Sequence, residues 1–328
     1  MAMNTRISVV LFFLVCFLGL LALTLGPANI SVLETIKILL GKGELDSQTY
    51  IIFSLRLPRV ITAILCGAIL GGAGAVFQAS LRNPMADPFV LGVSAGASFG
   101  VALSITLGFS AFLGLPISAL LGAVCTTLLI FLIGSKHRVS QTSLLLTGVA
   151  ANYILSAAMT LLMFINHQHY ERILFWTLGS FSSSTWEQVF YTFVCALIFF
   201  IPLFLHHKEM DMMLLDEGSA LSGGLSLRRM RLFLLLLSTF AVSTCVSFFG
   251  VIGFIGLMAP HITRLLVGPK HKKMLLPTCL FGSLLLLGSD TLSRILLPTG
   301  EMPVGVITSL LGAPLFIWML RKGRNSYV

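Results

Sequence analysis

The chain has 328 residues, of which 56% are hydrophobic and 10% are charged, and its mean hydropathy is +0.98. Soluble globular domains carry about a quarter charged residues, so this composition excludes a soluble protein and indicates an integral membrane protein surrounded by lipid. The formal net charge of +9 comes from basic residues scattered through short loops. Because no aromatic side chains are interleaved with them, they do not indicate nucleic-acid binding.

Apolar runs recur along the whole sequence at the length needed to cross about 30 Å of hydrocarbon, which predicts an all-α polytopic membrane bundle rather than a β-barrel. The first run is longer than a signal-peptide core and lacks a small-residue cleavage site, so we interpret it as a span. About ten spans are predicted, at residues 7–25, 58–80, 90–108, 112–134, 142–165, 188–206, 231–250, 252–268, 274–297 and 303–320. The third and eighth are short and contain glycine or proline, which is typical of broken or partly re-entrant helices.

Most of the basic residues fall on one side of the membrane if the amino terminus is cytoplasmic. The positive-inside rule therefore predicts that both termini are cytoplasmic. The apolar runs leave no room for a sizeable soluble domain, so residues 1–328 are expected to form a single transmembrane domain. The basic residues left on the outer side are Lys37, Lys42, Arg56, Arg59, Arg172 and Arg294.

The stretch of residues 71–100 has an unusual composition for membrane depth, with six glycines, two prolines and an Asp-Pro step between apolar runs. Lipid cannot satisfy irregular main chain, so this stretch must be wrapped in protein or open to water. The charge pattern places its central part at the cytoplasmic side. We therefore regard Gln78, Asn83 and Asp87 as candidates for the inner end of a translocation path.

Two spans carry small or polar residues at helical spacing on one face. In the second span these are Gly67, Gly71, Gly74 and Gln78. In the fifth span they are Gly148, Asn152, Ser156 and Thr160. The glycine stripe predicts close packing against another backbone. An amide at mid-membrane depth faces a bundle interior or a wet cavity, so Asn152 and Ser156 are further path candidates.

The sequence lacks the motifs of an enzyme. It contains no phosphate-binding loop, no catalytic triad and no zinc-ligand pattern, so it supplies no ATPase site, cofactor or metal centre of its own. Its acidic residues lie almost entirely in loops, which argues against self-contained ion coupling. A permease energised by a separate partner fits best. An autonomous secondary transporter or channel and a receptor-like membrane protein remain the alternatives.

Such a permease needs a cytoplasmic docking surface, and the loop at residues 206–230 is the best candidate. Its sequence predicts a short helix, then a glycine turn and a basic flank. A solvated loop with the charges expected on the inner side explains its composition equally well.

The motifs then identify a resemblance. They read RLPR at 56–59, QASLRNPMADPFVLGVSAG at 78–96, FWTLGS at 175–180, GVIGFIGLMAPHITR at 250–264, PVGVI at 303–307 and GAP at 312–314. In this order and over almost the whole length, the chain resembles the FecCD and BtuC type of permease from bacterial ABC importers for iron-siderophores, haem and vitamin B12. The resemblance implies a ten-span permease of the cytoplasmic (inner) membrane that passes a metal chelate.

The resemblance also implies partners. Two permease subunits pair, here expected as a homodimer, two cytoplasmic ATPases dock beneath them, and an external binding protein delivers the substrate. Arginines around the outer mouth receive acidic residues of the binding protein in this family, and the matching residues are Arg56, Arg59 and Arg294. Simple interfacial anchoring is the alternative role of each arginine.

On the inner side, the ATPase-contacting pattern of the family is matched by Glu217, Ala220 and Gly224. The chain departs from this pattern with Asp216 in place of glycine and Gly223 in place of leucine. The inner gate of the family corresponds to Thr142 and Ser143, which could equally be helix caps.

The sequence does not choose among a siderophore, haem and cobalamin as substrate. His167, His169 and Tyr170 follow the fifth span on the outer side, and both residue types can hold haem iron. An ordinary surface loop is the simpler interpretation of these three residues.

Overall fold

The computed structural model describes residues 2–26, 28, 30–42, 47–109, 114–134, 141–214, 227–297 and 300–323. Within these ranges every regular element is helical. Seven helices are long and apolar enough to cross a membrane, and three shorter apolar helices, at Val93–Thr106, Ile255–Val267 and Val304–Trp318, fall in the remaining predicted spans. The predicted all-α polytopic membrane bundle is therefore confirmed.

The helices are α1 (Ala2–Thr24), α2 (Val32–Leu39), α3 (Ser47–Tyr50), α4 (Leu57–Ser80), α5 (Val93–Thr106), α6 (Gly114–Gly134), α7 (Gln141–Ile165), α8 (Tyr170–Thr177), α9 (Trp186–Leu205), α10 (His207–Met213), α11 (Leu227–Phe249), α12 (Ile255–Val267), α13 (His271–Ile295) and α14 (Val304–Gly323). A π-helical segment, Ile51–Arg56, joins α3 to α4, and 3-10 segments at Pro88–Leu91 and His167–His169 precede α5 and α8. The short helices α2, α3 and α8 were not predicted from the sequence. A short helix was predicted within residues 206–230 without bounds, and α10 lies in that range.

Helix α4 lies at the centre of the bundle, in contact with α1, α9, α10, α11, α12 and α13. Its glycine stripe faces other main chains: Gly67 lies against Gly282 and Gly71 against Thr278, both on α13. A Cβ atom at either glycine would come closer to a backbone carbonyl oxygen than van der Waals contact allows. The predicted close packing of this stripe is thus confirmed.

Helices α5 and α12 are half-length spans of 14 and 13 residues. At 1.5 Å per residue they are about 20 Å long, which is too short to cross about 30 Å of hydrocarbon. Irregular main chain precedes each of them, the 3-10 segment before α5 and residues 250–254 before α12. These two elements are the predicted third and eighth spans, and the break in each agrees with the composition of its sequence.

The two ends of the bundle are defined by contacts between elements. Arg56 and Arg294 both donate to carbonyl groups at the end of α1, and Arg59 at the start of α4 pairs with Glu301 before α14. The opposite end holds α10, the end of α4 and the start of α13. We call these the outer and the inner end, following the charge pattern. Helix α1 begins and α14 ends at the inner end, as the predicted topology requires.

The glycine contact between α4 and α13 gives a stability prediction. A Gly282→Ala substitution places a methyl group onto the carbonyl oxygen of Gly67, and such overpacking costs about 1–3 kcal/mol. Gly288 lies on the same helix, where an added Cβ would meet only Leu18 Cδ2 at 3.7 Å, an ordinary contact. We expect the purified Gly282→Ala protein to unfold at a lower temperature than wild type in detergent.

The matched control, Gly288→Ala, should unfold at the wild-type temperature or slightly above it, because alanine favours a helix interior over glycine by about 1 kcal/mol. Equal unfolding temperatures for the two variants would contradict the close contact between α4 and α13.

Candidate functional site

A cavity of about 350 Å³ lies between α5, α7, the end of α8 and the irregular segment before α12. The residues that line it share small, hydroxyl or amide side chains, apart from one methionine and one valine. They are Ser94, Ala95, Ser98, Asn152, Ser156, Met159, Thr177 and Val251. Two predicted path residues, Asn152 and Ser156, therefore lie together in this cavity.

Asn152 fastens α7 to the segment that precedes α5. Its Nδ2 atom lies 3.3 Å from the carbonyl oxygen of Phe89 and 3.5 Å from that of Val90, to which it donates. One turn earlier, Gly148 lies so close to the carbonyl oxygen of Val90 that a Cβ atom would not fit. The Oδ1 atom of Asn152 is buried and accepts no hydrogen bond from the described residues. The amide thus holds the break and leaves one acceptor unused beside the cavity.

The first turn of α5 forms one wall of the cavity. It begins after Gly92, which has a φ of 80° and is packed against Thr126 and Ile130, so that glycine is required for both backbone and space. No side chain caps this turn, which leaves backbone N–H groups of the helix start without intrahelical partners. The wall next to Ser94 and Ala95 therefore offers hydrogen-bond donors and the positive end of a helix dipole.

Asp87 caps the 3-10 segment at the centre of the broken stretch. Its Oδ1 atom accepts a hydrogen bond of 2.9 Å from the backbone N–H of Phe89. Its other oxygen lies at the first turn of α12, where a Cβ atom on Gly256 would approach Oδ2 to 3.5 Å. Burial raises the pKa of Asp87 from 3.8 to about 6, and the hydrogen bond from Phe89 opposes part of that rise. Asp87 thus joins the two broken spans.

Gln78 and Asn83 also stabilise the break. Gln78 donates from Nε2 to the carbonyl oxygen of Leu257 over 3.2 Å and accepts from Nη2 of Arg264 over 3.0 Å. Asn83 closes a turn by accepting from the N–H of Met85 over 2.9 Å. Neither residue lines the cavity. Gln78 connects the end of α4 to α12, whereas the described bonds of Asn83 are local to the turn. A direct role of either residue on the path stays a prediction.

Two further groups of predicted site residues lie elsewhere. Thr142 and Ser143 are exposed in the first turn of α7, at the inner end. Their assignment as a gate stays a prediction. The predicted ATPase-contacting residues Glu217, Ala220 and Gly224 lie outside the described residues.

The three arginines predicted at the outer mouth do converge, and all three are buried. Arg59 binds Asp290 through Nη2 at 2.8 Å and Glu301 through Nη1 at 2.8 Å. Arg294 lies 3.6 Å from the same aspartate and donates to the carbonyl oxygen of Ala22. Arg56 donates to three carbonyl groups at and after the end of α1. Their described contacts are internal, and docking of a binding protein by them stays a prediction.

Sequence reasoning missed several residues of these sites. Ser94 and Ser98 are four residues apart, the same spacing that identified the polar face of the fifth span. The sequence could therefore have predicted that they line the path. Thr177 gave no comparable signal. Neither Asp290, near the outer end of the ninth predicted span, nor Glu301 was predicted as a site residue. His167 and His169 form the 3-10 segment before α8 and do not line the cavity.

The buried carboxyl of Asp87 predicts a pH dependence. Between about pH 4 and 6 the folded protein keeps a proton that the unfolded chain has lost, so the free energy of unfolding falls as the pH rises through about 6. Asp87→Asn keeps an oxygen for the Phe89 N–H and removes the buried charge. We expect the stability of this variant relative to wild type to rise by about 1 kcal/mol between pH 5 and pH 7, out of about 3 kcal/mol for the whole shift in the pKa. Parallel unfolding curves across that range would contradict the assignment.

Comparison with known proteins places this geometry in a family. The FecCD transport family matches residues 13–322. The chain is similar to a probable iron chelatin transport system permease protein of Helicobacter pylori strain J99, with 39% identity over 87% of each chain. It is 35% identical to a hemin transport system permease protein of Yersinia pestis, covering 98% of this chain and 99% of that protein.

Among solved structures, the chain is similar to a metal-chelate type ABC transporter in an inward-facing conformation. The TM-score is 0.88 at 33% sequence identity, and the match covers 97% of this chain and 99% of the other. The family match spans nearly the whole sequence, and the relatives agree with it over most of their own length. The chain therefore belongs to the FecCD transport family.

Proposed function

We propose that this chain is the transmembrane permease subunit of an ABC importer and passes a metal chelate from an external binding protein into the cytoplasm by alternating access. The observation that carries this proposal is the cavity between α5 and α7, which is lined by small and hydroxyl side chains within a bundle of the FecCD family. Such a lining offers many weak contacts, which suits a large ligand that has to be released again.

A second copy of the chain is the proposed partner within the membrane. Helix α7 is the least buried of the seven long apolar helices, with 11% of its most apolar window inside the bundle. The same helix contributes Asn152, Ser156 and Met159 to the cavity. Polar groups facing lipid are unfavourable, so a protein surface opposite α7 would complete the path. A homodimer supplies that surface with the same helix.

The energy source is a pair of separate ATPases, since the sequence has no phosphate-binding loop. Their docking site is the loop at residues 206–230, with Glu217, Ala220 and Gly224 as contacts. The family membership supports this assignment. The result is a permease that performs no hydrolysis itself and moves in response to its partners.

We infer that Arg56, Arg59 and Arg294 take part in docking of the binding protein. For Arg59, docking requires that Glu301 be displaced first. The side chain of Arg59 is 9% exposed, whereas that of its partner Glu301 is 30% exposed. A carboxylate of a binding protein can therefore reach Arg59 only by displacing Glu301. Exchanging one ion pair for another adds little to the binding affinity, but it fixes the orientation of the binding protein on the permease.

The substrate class is an iron-siderophore, haem or cobalamin. Relatives are named for iron chelatin, hemin and vitamin B12 transport, which supports all three. The cavity contains no histidine, tyrosine or cysteine, so its lining would contact the organic part of a chelate rather than its metal.

The proposed function is tested by reconstitution. The permease, its cognate ATPase and its binding protein are incorporated into or added to liposomes, and uptake of candidate chelates is measured with and without ATP. We expect ATP-dependent uptake that requires all three proteins. Uptake by the permease alone, driven by an ion gradient, would instead identify an autonomous secondary transporter.

The translocation path is tested by placing bulky side chains in the cavity and at the predicted gate. Ser156→Trp places a bulky ring in the cavity, and Ser143→Trp places one at the predicted inner gate. We expect each to abolish ATP-dependent uptake while the assembled complex still purifies intact. Ser156→Ala serves as the control, because it removes the hydroxyl group without adding volume, and should retain uptake close to wild type. Normal uptake by Ser143→Trp would contradict the gate.

A further inference from the structure

Helix α10 (His207–Met213) is firmly attached to the inner end of the bundle. It follows α9 directly and precedes residues 215–226, the part of the sequence assigned to ATPase contact. Its side chains Met210 and Met213 are fully buried in the main apolar core. The helix contacts α4, α9, α11 and α13. A movement of the loop that follows α10 therefore acts on a packed element.

One polar attachment joins α10 to the start of α13. Asp211 accepts a hydrogen bond of 2.9 Å at Oδ1 from the backbone N–H of His271, and the same oxygen lies 2.6 Å from Nδ1 of the buried imidazole. The residue at the N-cap position of α13, Lys270, makes no side-chain cap. Asp211 thus supplies from another helix the acceptor that an N-cap residue normally provides, and places a carboxylate at the favourable end of the helix dipole.

A second polar attachment joins α10 to the end of α4. Arg82 donates from Nε to the carbonyl oxygen of Met213 over 2.7 Å, which caps the last turn of α10 with a positive charge. Ser80, two residues earlier, lies against the sulfur atom of the same methionine. The last turn of the short helix α10 is therefore fastened to both α4 and α13.

The backbone of Arg82 is unusual. Its φ is 45°, in the left-handed region, and its N–H bonds to Ala79 while that of Asn83 bonds to Gln78, which is the Schellman ending of a helix. Glycine is preferred at this position, because a side chain in the left-handed conformation costs about 1–2 kcal/mol. An arginine there is explained by what its side chain does, namely the bond to α10.

The two helices that receive these attachments behave as one body. Main chains of α4 and α13 meet at Gly67 and Gly282, and the pair is fastened again at the outer end by Arg59 and Asp290. A displacement of α10 would therefore shift α4 and α13 together. The end of α4 leads directly into the broken stretch that borders the cavity.

We propose that Arg82, Asp211 and His271 form a clamp that transmits movement of the ATPase-contacting loop to the α4–α13 pair. They act as positioning residues, since none of them lines the cavity. The clamp couples ATP hydrolysis to opening of the path. This inference rests on the proposed function. It adds the residues that link ATP hydrolysis to transport of the chelate.

The clamp is tested in the reconstituted complex of permease, ATPase and binding protein, with uptake and ATP hydrolysis measured in the same vesicles. Arg82→Gly is the most informative variant, because glycine relieves the left-handed backbone while removing the bond to α10. We expect its thermal stability to equal or exceed that of wild type and its ATPase activity to persist. The number of chelates taken up per ATP should fall about five-fold or more.

Asp211→Ala, which removes the other attachment, should lower the same ratio. Lys272→Ala is the matched control, because Lys272 is exposed beside His271 on α13, outside the docking loop, and should leave the ratio unchanged. An unchanged ratio in Arg82→Gly would overturn the clamp, as would a loss of uptake that only parallels loss of assembly in both variants. Absence of ATP-driven uptake in the wild-type complex would contradict the proposed function itself, and the clamp with it.

Discussion

The close contact between α4 and α13 is the constraint on which the rest of the structure depends. Lipid provides no hydrophobic force between spans, so their association relies on tight packing, and glycine is the residue that lets two main chains approach. Gly67 and Gly71 meet α13 at backbone distance, and Gly74 meets the start of α12 in the same way. Helix α4 thereby becomes a buried axis. Helices α10 and α12 and the 3-10 segment before α5 all pack against it.

Charged groups then hold the outer end of this axis. Asp290 is fully buried between Arg59 and Arg294, while Arg56 and Arg294 cap the carbonyl groups that end α1. Removing one partner of a buried ion pair costs about 3–5 kcal/mol, because the remaining charge is left without compensation. The arginines are therefore required for the packing of α1, α4 and α13 whether or not a binding protein also contacts them. This explains why they are buried rather than displayed.

The sequence predicted most of the architecture. The bilayer requires each span to have a certain length and an apolar composition, and both can be recognised in a short stretch of sequence. Span positions, the two broken helices and the glycine stripe could all be read this way. Residues that act across long separations could not. Asp290 and Glu301 lie more than 200 positions from Arg59, and the carbonyl groups that Arg56 binds carry no sequence signal. The sequence predicted a short helix within residues 206–230 but not the bounds of α10, because seven residues are too few to show a period.

The cavity depends on the breaks rather than on the long spans. Asn152 of α7 holds the 3-10 segment before α5, and Asp87, which caps that segment, lies against the first turn of α12. Val251, just before α12, is itself part of the cavity lining. The two irregular segments are thus joined to each other and to the cavity wall. Since Arg82 ends α4 only five residues before Asp87, a shift of α4 at the inner end displaces this joint first, and the cavity wall moves with it.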